Sequence, residues 1–200
     1  MNVHIGPKIE LPTQHGKFEV KHIVVQEGGT IIREGVALLK QTSDRPLLVR
    51  VQSSCLFSET FWATDCDCAL QLQSSLAQIS ERGGLLLYFY EEGRGAGLSA
   101  KFKAIELQQL KGFDTKQAYE CLQMKVDERS YTAAAAALVE LLQGLPVCLL
   151  SNNPDKILGL KNNHVNIVDS KKLIVGLNSP EIRKYLEEKR RILGHHIPQF

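Results

Sequence analysis

Three cysteines are the first residues in this chain whose type and spacing suggest chemistry. Cys66 and Cys68 flank Asp67, and Cys55 stands a short way upstream. Thiolates are soft ligands that favour zinc, and side chains at i and i+2 converge where the backbone turns. Three protein ligands would leave the fourth tetrahedral position to water, the arrangement of a catalytic site. Zinc lowers the pKa of such a water to about 7. Two other readings fit the same residues. They could be small buried apolar side chains, as free cysteines often are. They could also belong to a closed structural site completed by Cys121, Cys148 or a histidine. Spacing alone does not choose among the three.

Elements able to position such a cluster follow from the hydrophobic pattern. Phe18–Val25 is rich in β-branched and aromatic residues and stops at Gly28-Gly29, so it is expected as a strand. Gly35–Lys40 and Pro46–Val51 are further strand candidates. From Cys68 onward Leu70, Leu72, Leu76 and Ile79 fit a helical face that Gly83-Gly84 would end. Leu85–Tyr90 is a continuous apolar run, as in a strand covered on both faces. Behind it come the glycine-rich stretch Glu91–Gly97 and a helix carrying Phe102, Ile105 and Leu107. Arg129–Leu142 is expected as a helix, Val147–Leu150 as a short buried strand, and Pro154–Leu160 as a helix with proline in its first turn. A strand at His164–Val168 and a charged helix at Ser179–Leu193 complete the pattern. Early strands followed by alternation predict a mixed β-sheet with packed helices, α/β or α+β.

The chain of 200 residues is long enough to bury a substantial core. It is expected as one domain over 1–200, with 179–200 a C-terminal helical tail. A net charge of +2 gives no electrostatic footprint for nucleic acid or an anionic membrane. The basic run Lys189-Arg190-Arg191 reads as a solvated helix face. No stretch approaches the ~18 apolar residues of a membrane span. The opening MNVHIGPKIELPT lacks the apolar core of a secretion signal. The expected compartment is the cytoplasm, where a disulfide framework is not expected.

The residues around the cysteines carry a resemblance. Leu11-Pro12-Thr13 with Gly16 and Phe18 begins it, followed by Arg50-Val51, Ser53 and Cys55, then Cys66-Asp67-Cys68 with Gln71-Leu72. Leu86-Leu87-Tyr88, Glu92-Gly93-Arg94, Gly97-Leu98, Lys101, Asp114-Thr115 and Asp127-Glu128-Arg129 continue it. Asn152-Asn153-Pro154, Lys156, Leu173–Gly176, Asn178 and Gly194-His195 close it. In this order the motifs resemble the GTP cyclohydrolase II family, zinc enzymes that open the guanine ring of GTP at the start of riboflavin synthesis.

The resemblance implies a zinc ion on Cys55, Cys66 and Cys68 and hydrolysis at C8 of the imidazole ring. Release of pyrophosphate and formate would accompany it. Asp127 matches the family's proton acceptor. Arg129 matches a residue acting at the α-phosphate, where charge stabilisation suits a side chain that stays protonated. Arg50, Ser53, Gln71, Glu92, Gly93, Arg94, Thr115, Ser151 and Lys156 fall on nucleotide-binding positions. Arg94 between glycines suits a loop approaching phosphates. Glu92 either accepts from the guanine amino edge or pairs with Arg94. Without the resemblance, Asp127-Glu128-Arg129 would read as a helix start. A homodimer is the implied assembly, and magnesium is the expected companion of the phosphates.

Several positions depart from the family pattern. Gln52 replaces a histidine, Ser54 an acid, Asp65 and Tyr90 arginines, Ala69 a glycine, and Ser151 a threonine. Ile105 stands where the family places a tyrosine, and isoleucine has no hydroxyl to exchange a proton. Three readings result: a GTP-opening hydrolase; a paralogue that stops at a formamide or takes another heterocyclic nucleotide; and a zinc and nucleotide-binding protein without turnover.

Overall fold

A computed structural model of the chain describes residues 1–199. Its centre is a seven-stranded mixed sheet in the order β1-β2-β3-β5-β4-β6-β7. The strands are β1 (Asn2–Thr13), β2 (Gly16–Glu27), β3 (Thr30–Lys40), β4 (Leu47–Ser53), β5 (Gly84–Phe89), β6 (Val147–Leu150) and β7 (Ile167–Lys171). Strands β1, β2, β3 and β5 pair antiparallel, whereas β5, β4, β6 and β7 run parallel. The helices are α1 (Leu56–Phe61), α2 (Cys68–Arg82), α3 (Gly97–Lys111), α4 (Thr115–Cys121), α5 (Thr132–Leu142), α6 (Pro154–Asn162) and α7 (Pro180–Leu193). This is an α/β fold. No helix among the described residues is long and apolar enough to cross a membrane.

The apolar run of β5 is covered on both faces, as its composition predicts. Leu85, Leu87 and Phe89 join one core with Ile23, Val49, Leu149 and the alanines of α5. The alternate residue Leu86 joins the other core, with Phe18, Leu48, Leu150 and Ile79 of α2. Period-two alternation thus divides one strand between two layers of helix. Small side chains at Ala133, Ala134 and Ala137, all buried, let α5 lie close to the sheet.

Three elements differ from the sequence expectation. Strand β1 is unanticipated because Gly6 and Pro7 break its alternation. Both lie where its register with β2 shifts, between Ile5 and Lys8, on an edge strand where a missing N–H is tolerated. Helix α5 begins at Thr132 rather than Arg129, because Asp127-Glu128-Arg129 form a loop whose own side chains bond one another. Strand β7 starts at Ile167 because His164 takes a left-handed turn at φ 69° after α6.

Gly83 caps α2, as the paired glycines suggest. Gly84 follows at φ +146°, and a Cβ there would stand 2.2 Å from the Leu48 carbonyl oxygen in β4. Gly84→Ala is therefore expected to destabilise the protein by more than about 1 kcal/mol, read as a lower urea midpoint.

Candidate active site

Parallel strands place their following loops together at their carboxyl ends, where α/β proteins bind ligands. Ser53 is level with Phe89 in the β4–β5 register, so the segments after β4 and β5 emerge side by side. Those segments, the loop after β6, and helices α2, α3 and α7 enclose a cavity of about 470 Å³.

Cys55, Cys66 and Cys68 all line this cavity, and their sulfur atoms lie within 4.8 Å of one another. Cys55 Sγ and Cys66 Sγ are 4.0 Å apart and no disulfide joins them. Tetrahedral thiolates around zinc stand about 3.8 Å apart, from a Zn–S distance of ~2.3 Å, so the cluster can hold a metal ion after minor adjustment. Cys55 is the N-cap of α1 and Cys68 opens α2, which favours negative charge at both. Hydrogen bonds from Cys66 and Cys68 favour the Cys55 thiolate, helped by Lys101. The same sharing, with burial, holds the Cys66 and Cys68 thiols above their usual range. Three thiols this close cannot all ionise without a cation among them. Cys121 is exposed and Cys148 bonds Asp169 instead, so no fourth ligand joins the trio among the described residues.

Most residues expected at the nucleotide line the same cavity: Arg50, Ser53, Gln71, Glu92, Gly93, Arg94, Thr115, Arg129, Ser151 and Lys156. Asp127 does not. Its Oδ1 accepts from the Arg129 backbone N–H at 3.0 Å and from Arg129 Nε at 2.9 Å, and its Oδ2 accepts from Arg129 Nη2. The carboxylate therefore aims Arg129 at the cavity. Arg94 sits at φ 56° between glycines, and its carbonyl receives the Glu128 N–H at 2.9 Å, tying the two loops together. Glu92 is not the partner of Arg94: its Oε2 pairs with Lys101 at 2.9 Å and its Oε1 accepts from the Leu56 N–H. Arg94 Nη1 is buried with no hydrogen-bond partner among the described residues.

Lys156 and Arg50 likewise have no ion-pair partner among the described residues. Lys156 is buried, donates to the Val51 carbonyl at 2.8 Å, and is held well below the usual lysine range by burial and by Arg50 and Arg129. Arg50 donates to Gln52 Oε1 at 3.1 Å, to the Leu150 carbonyl at 3.0 Å and to Gln71. Burial pulls its pKa to about 10. Gln52, unusual for the pattern, fits here because it accepts from Arg50 and donates to Glu59 at 2.9 Å. Ile105 lines the cavity with an apolar side chain, and exposed Asp65 stands at its wall. Tyr90 is exposed outside the cavity lining, packed edge-on against Tyr88.

Helix α7 overturns one sequence expectation. Lys189 does not belong to a solvated face: it donates at 2.7 Å to Asp67, whose side chain is 0% exposed. Thr115 donates to Glu188 at 2.8 Å, and Arg191 to Asp114 at 2.8 Å. The C-terminal helix is thereby drawn over the cavity, contributing Lys184, Tyr185, Lys189 and, after it, His195. Sequence reasoning gave Lys184, Tyr185, Lys189 and Glu91 no place in the site, and it read Lys101 and His195 as part of the resemblance without assigning them a role. The one available signal was Asp67, an acid between two cysteines that needs a cation once buried.

Fold and site together define an α/β protein with a metal-competent thiol cluster opening onto a cation-lined cavity. Residues 4–172 match the model of the GTP cyclohydrolase II family. The chain is 38% identical over 199 residues to GTP cyclohydrolase-2 of Haemophilus influenzae, covering 98% of this chain and 89% of that protein. It is 40% identical over 191 residues to GTP cyclohydrolase-2 of Pasteurella multocida, covering 94% and 84%. It is 41% identical over 195 residues to riboflavin biosynthesis protein RibBA of Bacillus cereus, covering 94% of this chain and 47% of that protein. The chain belongs to the GTP cyclohydrolase II family.

Two outcomes follow from the ion pairs. Lys189→Met leaves Asp67 buried and unpaired, which is expected to cost on the order of 3–5 kcal/mol in chemical denaturation. Asp67→Asn added to it should recover a large part of that loss. Asp127 is opposed by burial, but its bonds to Arg129 win and lower its pKa. Its contribution to stability is thus complete above the unfolded value of ~3.9 and lost as pH falls through the lower folded value. Asp127→Asn should therefore lose less stability than the parent between pH 5 and pH 3.

Proposed function

We propose that this protein hydrolyses GTP, opening the imidazole ring at C8 and releasing pyrophosphate, with zinc on Cys55, Cys66 and Cys68. The observation that carries the reading is the meeting of two unsatisfied charge sets in one cavity. Three thiols there can ionise together only around a cation, while Lys156 and Arg94, which have no ion-pair partner among the described residues, stand over the same space beside Arg129. A metal answers the first and a polyphosphate the second. Names and family of the relatives supply the base and the reaction.

Bound at the thiols, zinc would act as a Lewis acid and furnish activated water at neutral pH. The chain's own residues bind and orient. Arg94 offers an unpartnered Nη1 to a phosphate oxygen, and Lys156 supplies charge from a dry position where it is strong. Arg129 stabilises the departing pyrophosphate. A phosphate that draws Arg129 forward also loosens its hold on Asp127, freeing that carboxylate to accept a proton. Arg50 and Gln71, locked to each other, fix the floor beneath the nucleotide. Asp65, exposed and without an ion-pair partner among the described residues, suits a magnesium ion travelling with the phosphates.

Ile105 favours a second outcome for the same reaction: ring opening that stops at the formamide, because no hydroxyl at this position serves the later hydrolysis. Mass spectrometry of the product from GTP, with zinc and magnesium present, decides both. The expected result is loss of the intact purine with pyrophosphate released and formate lagging behind it, and Ile105→Tyr should raise the formate yield. Stoichiometric formate from the parent protein removes the arrested reading, and an unchanged purine removes the proposal. Cys66→Ala should lose zinc and ring opening while circular dichroism stays native; a variant that unfolds instead would make the metal structural.

A further inference from the structure

His195 lines the cavity yet has no part in the reaction as proposed. It follows Gly194, the left-handed cap of α7, and backbone bonds hold it in place. Its own N–H donates to the Lys189 carbonyl at 3.3 Å, and that of His196 to the Asn152 carbonyl at 2.8 Å. Ile197, just beyond, is buried with Ile182 and Leu186 of α7. The imidazole is therefore presented by an anchored segment.

Among the described residues, Nε2 of His195 is buried with no hydrogen-bond partner, and Arg94 Nη1 on the same cavity is in the same state. A third such atom at the cavity, Glu91 Oε1, accepts no hydrogen bond among the described residues but is ion-paired with Arg33. A buried polar atom without a partner is costly, so the remaining two mark where atoms of a ligand complete the bonding. Burial first, then the charges of Lys189, Arg129, Lys156 and Arg94, hold the imidazole pKa down to about 3, and the ring is neutral. A neutral imidazole carries one N–H, and among four cations the group that best accepts it is an anionic oxygen.

We propose that His195 is a phosphate-binding residue of the active site, its Nε2–H donating to a polyphosphate oxygen of the nucleotide beside Arg94. The proposal rests on the nucleotide reading of the cavity and extends the site into the C-terminal segment, beyond the residues matched by the family model. Helix α7 is then part of the substrate wall, carrying His195 at its end and fastened through Lys189 to Asp67.

Calorimetric titration of the zinc-loaded full chain tests this with three ligands: guanosine, inorganic triphosphate, and a GTP analogue whose α,β-methylene bridge resists loss of pyrophosphate. His195→Ala should weaken the analogue and triphosphate by about tenfold or more, with guanosine within about twofold of the parent. His195→Gln, which returns an amide N–H near the Nε2 position, should recover most of that loss. Unchanged triphosphate and analogue binding in His195→Ala overturns the proposal, and so does an equal loss for guanosine, which would mean a structural role. Triphosphate binding that depends on His195 without any gain from the guanosine moiety sinks the GTP reading while sustaining this one. Parent protein that binds neither phosphate ligand overturns both.

Discussion

The carboxylate of Asp67, removed from water between two metal-competent thiols, ties the site together. It accepts from Lys189 of α7 and from Gln71 of α2. Gln71 accepts from Arg50 of β4, Arg50 donates to Gln52, and Gln52 donates to Glu59 of α1. Glu59 in turn receives the Tyr88 hydroxyl at 2.6 Å and the Cys55 N–H at 3.1 Å. One continuous network therefore runs from the C-terminal helix through the cysteine loop and the central strands to the backbone of the third cysteine. In a low-dielectric interior such a network is stable only when its members are satisfied together.

That constraint accounts for features that look unrelated along the chain. Gln52 stands where a histidine is usual, and its amide meets both demands of the position, accepting from an arginine and donating to an acid. Arg50, expected at the nucleotide, spends its donors on Gln52, Gln71 and a backbone carbonyl. It orders the cavity floor as much as it charges it. Asp127 is turned to Arg129 in the same manner. Much of the charge in the site is used to hold other charge in position.

Where charge is left over, the site becomes specific. Lys156 and Arg94 face a space in which Glu92 is already taken by Lys101 and Asp127 by Arg129. An anionic ligand is favoured there by the desolvation that disfavours the bare cations. The thiol cluster presents the opposite imbalance in the same cavity. A substrate with a polyphosphate at one end and a hydrolysable ring at the other would join the two.

Local sequence determined a good deal. Richness in β-branched and aromatic residues foretold β2, a continuous apolar run foretold β5, Gly83 ended α2, and Pro154 opened α6, since each rests on interactions within a few residues. The cysteine trio and the Glu92-Gly93-Arg94 loop were legible as motifs for the same reason. Folding alone decided which groups are paired. Lys189 and Asp67 lie 122 residues apart, and nothing near either one marks Lys189 as buried. A basic run on a charged helix looks solvated until the sheet places an unpaired acid beneath it. Likewise the helix expected at Arg129 gave way to a loop, because Asp127 and the cavity hold that arginine more strongly than its helical propensity does. Sequence set the chemistry available; the tertiary structure, by fixing which charges lose their water together, decided where it acts.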